Sequence, residues 1–268
     1  MLIIGERINC TRKRIGQAAR ERDAELIKNE AIRQVEAGAQ VLDVNGGIPG
    51  QEAELLPWLV TLVQEVADVP LCLDSADPEA LNAALPLCRK RPMINSITDE
   101  PERQAAILPL IKQFGTQTIA LCMSQAGPPS SLEDRIGTAG RLVEFLTSAG
   151  MTPEDIYVDA CIFPLSVGAH HTTAMLQAVA QLASQYPGVH LSCGLSNVSH
   201  GLPVRKLLNE VFLMMLMGRG LDAAIVDPTD LHLMASIKAA EALLGKDEFC
   251  ADYLRAYRSG KLEPKPAE

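Results

Sequence analysis

Carboxylates and carboxamides close short β-branched runs along the whole of this 268-residue chain. Glu6 and Asn9 end the first run, Asp43 and Asn45 the second, and Asp74, Asn95, Asp159, Asn197 and Asp227 end later ones, while the run IALC ends on the softer Met123-Ser124. An acid in that position either caps the helix that follows or faces a cavity shared by several strand ends. After LCLDS, Asp77 can supply the cap, which leaves Asp74 free for a cavity. Two carboxylates with an amide, Asp74, Asp159 and Asn95, suit a heterocycle carrying an exocyclic amine and ring N–H groups, and a pterin is such a ring. Buried acceptors of this kind also reject analogues that lack those donors.

Gly194, Ser196, Asn197 and Ser199 crowd into GLSNVSHG. Glycine permits close approach of a flat ligand and Asn197 offers an amide donor, although the same composition is common in turns. The cysteines invite comparison with a zinc thiolate site. Cys72 stands two residues before Asp74 and Cys193 four before Asn197, so both are expected on an inward face below the polar ends, packed among small apolar side chains. His170-His171 and His200 follow strand signals without metal-ligand spacing, so no intrinsic metal is expected; His200 is a candidate for substrate contact.

The elements that must position these groups alternate. Strand signals cover 2–9, 40–45, 71–75, 93–97, 118–124, 156–160, 190–197 and 223–228. Helical patterns cover 30–38, 55–66, 78–87, 101–114, 132–149, 172–183, 203–217 and 231–244, with Gly38 as a left-handed C-cap and Pro78, Pro101 and Pro203 at helix starts. Alternation of strand and helix implies parallel pairing through crossovers. Eight such units predict an α/β fold, a closed (β/α)8 TIM barrel spanning 1–260 as one domain, with 261–268 as a disordered tail. An open doubly wound sheet lacks support, since GERINC provides a single Gly where a dinucleotide fingerprint needs several. Arg12-Lys13-Arg14 is expected in a solvated loop.

Composition narrows the classes. A formal charge of −9 argues against a nucleic-acid partner. Hydrophobic content of 47% with 21% charged residues fits a globular protein, and the longest apolar stretch, VFLMMLMG, is too short for a membrane span. Glu6 and Arg7 interrupt any export signal, so the seven cysteines are expected as reduced thiols in the cytoplasm.

The segments GERIN, LDVN, LCLDS, MINS, YVDA and GLSNVS, in this order at the expected strand ends, resemble the methyltetrahydrofolate:corrinoid protein methyltransferases. These are pterin-binding barrels related more distantly to dihydropteroate synthases and to the folate domain of cobalamin-dependent methionine synthase. The resemblance spans essentially the whole chain. It implies that Asp74, Asn95 and Asp159 contact the pterin ring, that Asp43 lies beneath it, and that Asn197 is the mobile asparagine reaching N5 of the folate. It further implies that Gly194 and Ser196 lie beside the ring and Arg205 near the aminobenzoyl-glutamate portion. Three features depart from the family pattern: ACIFP follows Asp159 where a Pro usually follows directly, LDVNGG carries an extra Gly, and His200 stands where Gln is frequent.

The implied reaction moves a methyl group between N5 of methyltetrahydrofolate and the cobalt of a corrinoid, with Asn197 and Asp159 as the catalytic pair. The chain has no DxHxxG-type cobalamin signature, so the corrinoid (cobalamin) is expected on a partner protein that docks over the cavity. Direction leans toward methylcorrinoid to tetrahydrofolate, as in demethylation systems. The Met-rich helix at 211–217 is a candidate homodimer surface or a core element. Two alternatives compete with this reading: a dihydropteroate synthase-like pterin enzyme, which needs a cationic clamp for pyrophosphate, and a non-catalytic folate-binding protein.

Overall fold

Polar side chains on β-strands repeat on one face every second residue, and in this chain that period decides which groups meet. In the computed structural model, which describes residues 1–262, the strands are β1 (Leu2–Asn9), β2 (Val41–Asn45), β3 (Leu71–Asp74), β4 (Met93–Asp99), β5 (Gln117–Ser124), β6 (Ile156–Asp159), β7 (His190–Ser192) and β8 (Ala223–Val226). All pair in parallel, in the order β7-β6-β5-β4-β3-β2-β1-β8. The seam between β7 and β8 closes through a Gly194–Ile225 bridge, Ile225 N–H to the Cys193 carbonyl (2.9 Å) and Leu191 N–H to an Asp222 carboxylate oxygen (2.8 Å). The result is the expected (β/α)8 barrel.

Inside it, Ile4, Val41, Cys72, Met93, Ile119, Tyr157 and Ala223 form an apolar plug. Two residues further along the same strands come Glu6, Asp43, Asp74, Asn95, Leu121, Asp159 and Ile225, the layer that opens to the C-terminal mouth. Odd-parity neighbours such as Leu42, Leu73, Ile94 and Val158 point outward and pack beneath the helices. One alternation thus builds both the hydrophobic core and a polar floor.

Ten α-helices occur among the described residues: α1 (Lys13–Glu21), α2 (Ala24–Ala37), α3 (Glu52–Val66), α4 (Pro78–Ala84), α5 (Pro101–Phe114), α6 (Leu132–Ser148), α7 (Ala169–Gln185), α8 (Arg205–Met217), α9 (Leu231–Leu243) and α10 (Ala251–Arg258). Local chemistry sets their limits. Asp77 caps α4 by accepting from Glu79 N–H at 2.9 Å, and Gly38 ends α2 in the left-handed region at φ 113°.

Several expectations need correction. Arg12-Lys13-Arg14 is not a loop: Lys13 opens α1, and Arg12 reaches back to Glu6 at 2.9 Å. The seventh strand stops at Ser192, because residues 195–197 turn into a short 3-10 segment that carries Asn197 off the sheet. Cys193 therefore packs with the outer core and only Cys72 lies in the inner plug. α1 and α10 lie outside the eight expected helical patterns, and residues 263–268 of the expected tail lie outside the described residues. No helix among the described residues is long and apolar enough to cross a membrane.

Candidate active site

The mouth holds a cavity of about 660 Å³, within the usual size range for small-molecule sites. All eight residues expected at the site line it: Asp43, Asp74, Asn95 and Asp159 on the floor, Gly194, Ser196 and Asn197 on the β7 side, and Arg205 at the start of α8. His200 is exposed and is not among the lining residues.

The floor is internally bonded in pairs. Asn95 Nδ2 donates to Asp43 Oδ1 at 3.2 Å, and Asn45 Nδ2 donates to Asp74 Oδ2 at 2.8 Å. Asp159 accepts two backbone N–H groups, from Cys161 (2.9 Å) and Gly194 (3.2 Å), so its carboxylate is aimed by both adjoining loops. Register supports this arrangement, since Asn45, Asp74 and Asn95 are direct neighbours on β2, β3 and β4.

Burial governs the electrostatics. Asp159, 7% exposed, is pushed up to about 6 by desolvation, against the opposing pull of its two N–H donors. Asp43 is held well above the ordinary carboxylate range by burial and then by the negative charge of Asp74. Asp74 is raised by burial, with the Asn45 amide pulling the other way; Glu6 is raised by burial, opposed by Arg12. Crowding acceptors in a low-dielectric floor is costly until hydrogen-bond donors arrive.

Above the floor, Arg205 braces the loop after β7, donating to Ser196 O (2.7 Å) and Ser199 Oγ (3.0 Å). Asn197 is exposed at the rim. A Cβ built on Gly194 comes within 3.2 Å of Asn197 Nδ2, so Gly194 leaves room for that amide.

Glu6, Asn9 and Asp227, polar strand ends given no contact of their own in the sequence, also line the cavity, as do Arg12, Lys206, Asn209 and Asp230. Lys206 and Asn209, on a helix, carried no strand-end signal. Arg7, next to Glu6 on β1, is not among the lining residues and is engaged by Glu30 and Asp227. Among the described residues no group of three or more His, Cys, Asp or Glu is placed to hold a metal ion.

The chain is 38% identical over its full length, and over the full length of the relative, to a methylcorrinoid:tetrahydrofolate methyltransferase of Eubacterium limosum. It is 30% identical, over 84% of its own length and 20% of the relative's, to a methionine synthase of Mycobacterium leprae. Among solved structures, the dihydropteroate synthases of Xanthomonas albilineans bound to 7,8-dihydropteroate (TM-score 0.71, 19% identity, 92% of this chain and 94% of that one) and of Yersinia pestis (TM-score 0.68, 18% identity, 91% and 94%) share the fold. Residues 5–227 match the pterin binding enzyme family, the stretch that holds the barrel strands and the polar floor, and the chain belongs to that family.

Proposed function

We propose that this chain is a methyltransferase that moves a methyl group between N5 of tetrahydrofolate and the cobalt of a corrinoid carried on a partner protein, with net flow from methylcorrinoid to tetrahydrofolate. The observation that carries this reading is the polar floor of Asp43, Asp74, Asn95 and Asp159 in a chain alike over its whole length to a methylcorrinoid:tetrahydrofolate methyltransferase. In the forward step the carbon–cobalt bond breaks with its electron pair left on cobalt, giving cobalt(I). The N5 lone pair forms the new N–C bond, and the N5 proton leaves.

The chain's residues serve that displacement. Asp74, Asn95 and Asp159 take the amine and ring N–H groups of the pterin, and Asp43 orients Asn95 from beneath. Asp159, titrating near 6, is a carboxylate at neutral pH and draws off the N5 proton through water. In the reverse direction tetrahydrofolate is a poor leaving group, and the Asn197 amide stabilises the charge that develops at N5. Gly194 and Ser196 flank the ring. Arg205, at the outer wall, faces the anionic aminobenzoyl-glutamate end.

The corrinoid protein docks over the mouth, because the cavity is of a size for the folate alone. The helix α8 buries Phe212, Leu213, Leu216 and Met217 but leaves Leu207, Val211 and Met215 exposed, and this outer face supports a homodimer. The seven free cysteines support a reducing, cytoplasmic setting. A dihydropteroate synthase reading is disfavoured, as the dihydropteroate synthases share the fold at only 18% and 19% identity, against 38% over the whole chain for the methylcorrinoid:tetrahydrofolate methyltransferase.

The test is anaerobic mixing of the protein with methylcobalamin and tetrahydrofolate. Loss of the methylcobalt absorption with growth of cobalt(I) and equimolar methyltetrahydrofolate is the expected result. Tight folate binding with an unchanged spectrum, including with methylated corrinoid proteins, identifies a folate carrier and defeats the proposal.

A further inference from the structure

Parallel pairing between β3 and β4 ends at Asp74 and Asn95, the last residues in register. Beyond that pair one backbone bond remains, Ser75 N–H to the Asn95 carbonyl at 3.2 Å. Both side chains are therefore mounted where the pairing between these two strands ends, although β4 stays paired with β5 beyond it. Something else must fix their spacing.

Arg103, in the first turn of α5, lies over this gap. Its NH1 donates to Ala76 O (2.6 Å), its NH2 to Ser75 O (2.8 Å) and Ser96 O (2.8 Å), and its Nε to Ser96 O (3.0 Å). Four bonds from one planar guanidinium thus join the loop directly after Asp74 to Ser96, the β4 residue directly after Asn95. No carboxylate lies within ion-pair distance of Arg103 among the described residues. Its placement also opposes local helix preference, because a cation at a helix N-terminus meets the positive end of the macrodipole. Partial burial pulls its pKa down, with Asp74, Glu100 and Asp77 opposing. A side chain held against both effects has its charge spent on backbone oxygens.

We infer that Arg103 is a positioning residue for the methyl-transfer site: its fork ties the β3 exit loop to β4 at Ser96 and sets the separation of Asp74 from Asn95. The inference rests on the folate reading for its consequence in binding, whereas the mechanical part concerns this chain alone. A lysine does not substitute, since an ammonium has no rigid fork with which to span three carbonyls.

Arg103→Met and Arg103→Lys are the test pair, measured by tetrahydrofolate titration calorimetry, by hydrogen exchange without ligand, and by a cycle with Asn95→Ala. Misplacing a binding group by about an ångström costs on the order of a hundredfold, so affinity should fall roughly ten- to hundredfold in both variants. In the cycle, Asn95→Ala should cost less in the Arg103→Met background than in the wild type, because groups acting as a unit are not additive. Exchange of the Ser75–Asp77 and Ser96–Ile97 amides should quicken about tenfold, with β6 and β8 unchanged. Should Arg103→Met not fold, Arg103→Lys carries the same readings.

Wild-type affinity in the folded variants, or losses that simply multiply in the cycle, overturns the inference. So does unchanged exchange at those amides, a reading that requires no folate. A wild-type protein that binds no tetrahydrofolate defeats the functional reading instead, and the exchange measurement then decides the role of Arg103 by itself.

Discussion

Asn45 is locked against Asp74. Its Oδ1 accepts the Gly47 N–H at 2.8 Å, which orients the amide, and its Nδ2 then donates to Asp74 Oδ2 at 2.8 Å. One oxygen of Asp74 is thereby occupied and the other is left to the cavity.

This relationship gives Asn45 a measurable share in binding. A hydrogen bond to a charged group contributes about 1.5 to 3 kcal/mol. Asn45→Ala should weaken tetrahydrofolate binding roughly tenfold and push the already raised Asp74 pKa further upward. Titration calorimetry checks the affinity; a variant that binds as tightly as the parent at neutral pH removes Asp74 from the list of ring contacts.

Much of this arrangement was legible in the chain, for a simple reason. Strand alternation is local, so Ile4 and Glu6, Cys72 and Asp74, or Tyr157 and Asp159 declare a shared inward face from sequence alone. Asn197 was placed on a strand because HLSCGLSN alternates plausibly. The chain instead ends its strand at Ser192 and turns into the 3-10 segment Leu195–Asn197. Asn45 and Arg103 were missed as site-builders because their value lies in contacts 29 and 28 residues away, to Asp74 and Ser75, which no local pattern encodes. Arg12 was read as solvated for the same reason: its partner Glu6 belongs to another element.

The outer face of β1 carries a stability consequence. Glu30 is 5% exposed and is held by Arg7, which also engages Asp227 after β8. Removing one partner of a buried pair leaves an uncompensated charge and costs about 3 to 5 kcal/mol. Arg33, at 3.6 Å from Glu30, offsets part of that. Arg7→Met should therefore destabilise by about 3 kcal/mol in urea unfolding, and Arg7→Met with Glu30→Leu should recover part of the loss. Equal stability of the single variant and the wild type contradicts this account.

Asp159 ties stability to pH. Its folded value of about 6 lies above the unfolded carboxyl value, so the folded state holds the proton more tightly. Its contribution to stability is complete at low pH and is lost as pH rises from about 4 through about 6, on the order of 3 kcal/mol in all. Relative to Asp159→Asn, the wild type should lose stability over that window and hold level above it. Asp43, Asp74 and Glu6 titrate in both proteins and cancel to first order. Methyl transfer to tetrahydrofolate should rise through the same pH in the wild type and not in the variant. Parallel stability curves for the two proteins between pH 4 and 7 rule the assignment out.

Gly194 and Asn197 separate catalysis from folding. The backbone at Gly194 has φ −80°, which alanine adopts freely, and the only atom in the way of a Cβ is the flexible Asn197 amide at 3.2 Å. Gly194→Ala should thus leave the melting temperature nearly unchanged while displacing the amide proposed to act at N5. Losing one preorganised donor lowers rates about 10²- to 10³-fold. Asn197→Ala should show that loss in single-turnover transfer with folate affinity reduced far less, and Gly194→Ala should show a smaller loss of the same kind. Because both act through one amide, the double variant should be no slower than Asn197→Ala. A double variant slower by the product of the two single effects means that Gly194 acts on the ring directly and that Asn197 is not the group it makes room for.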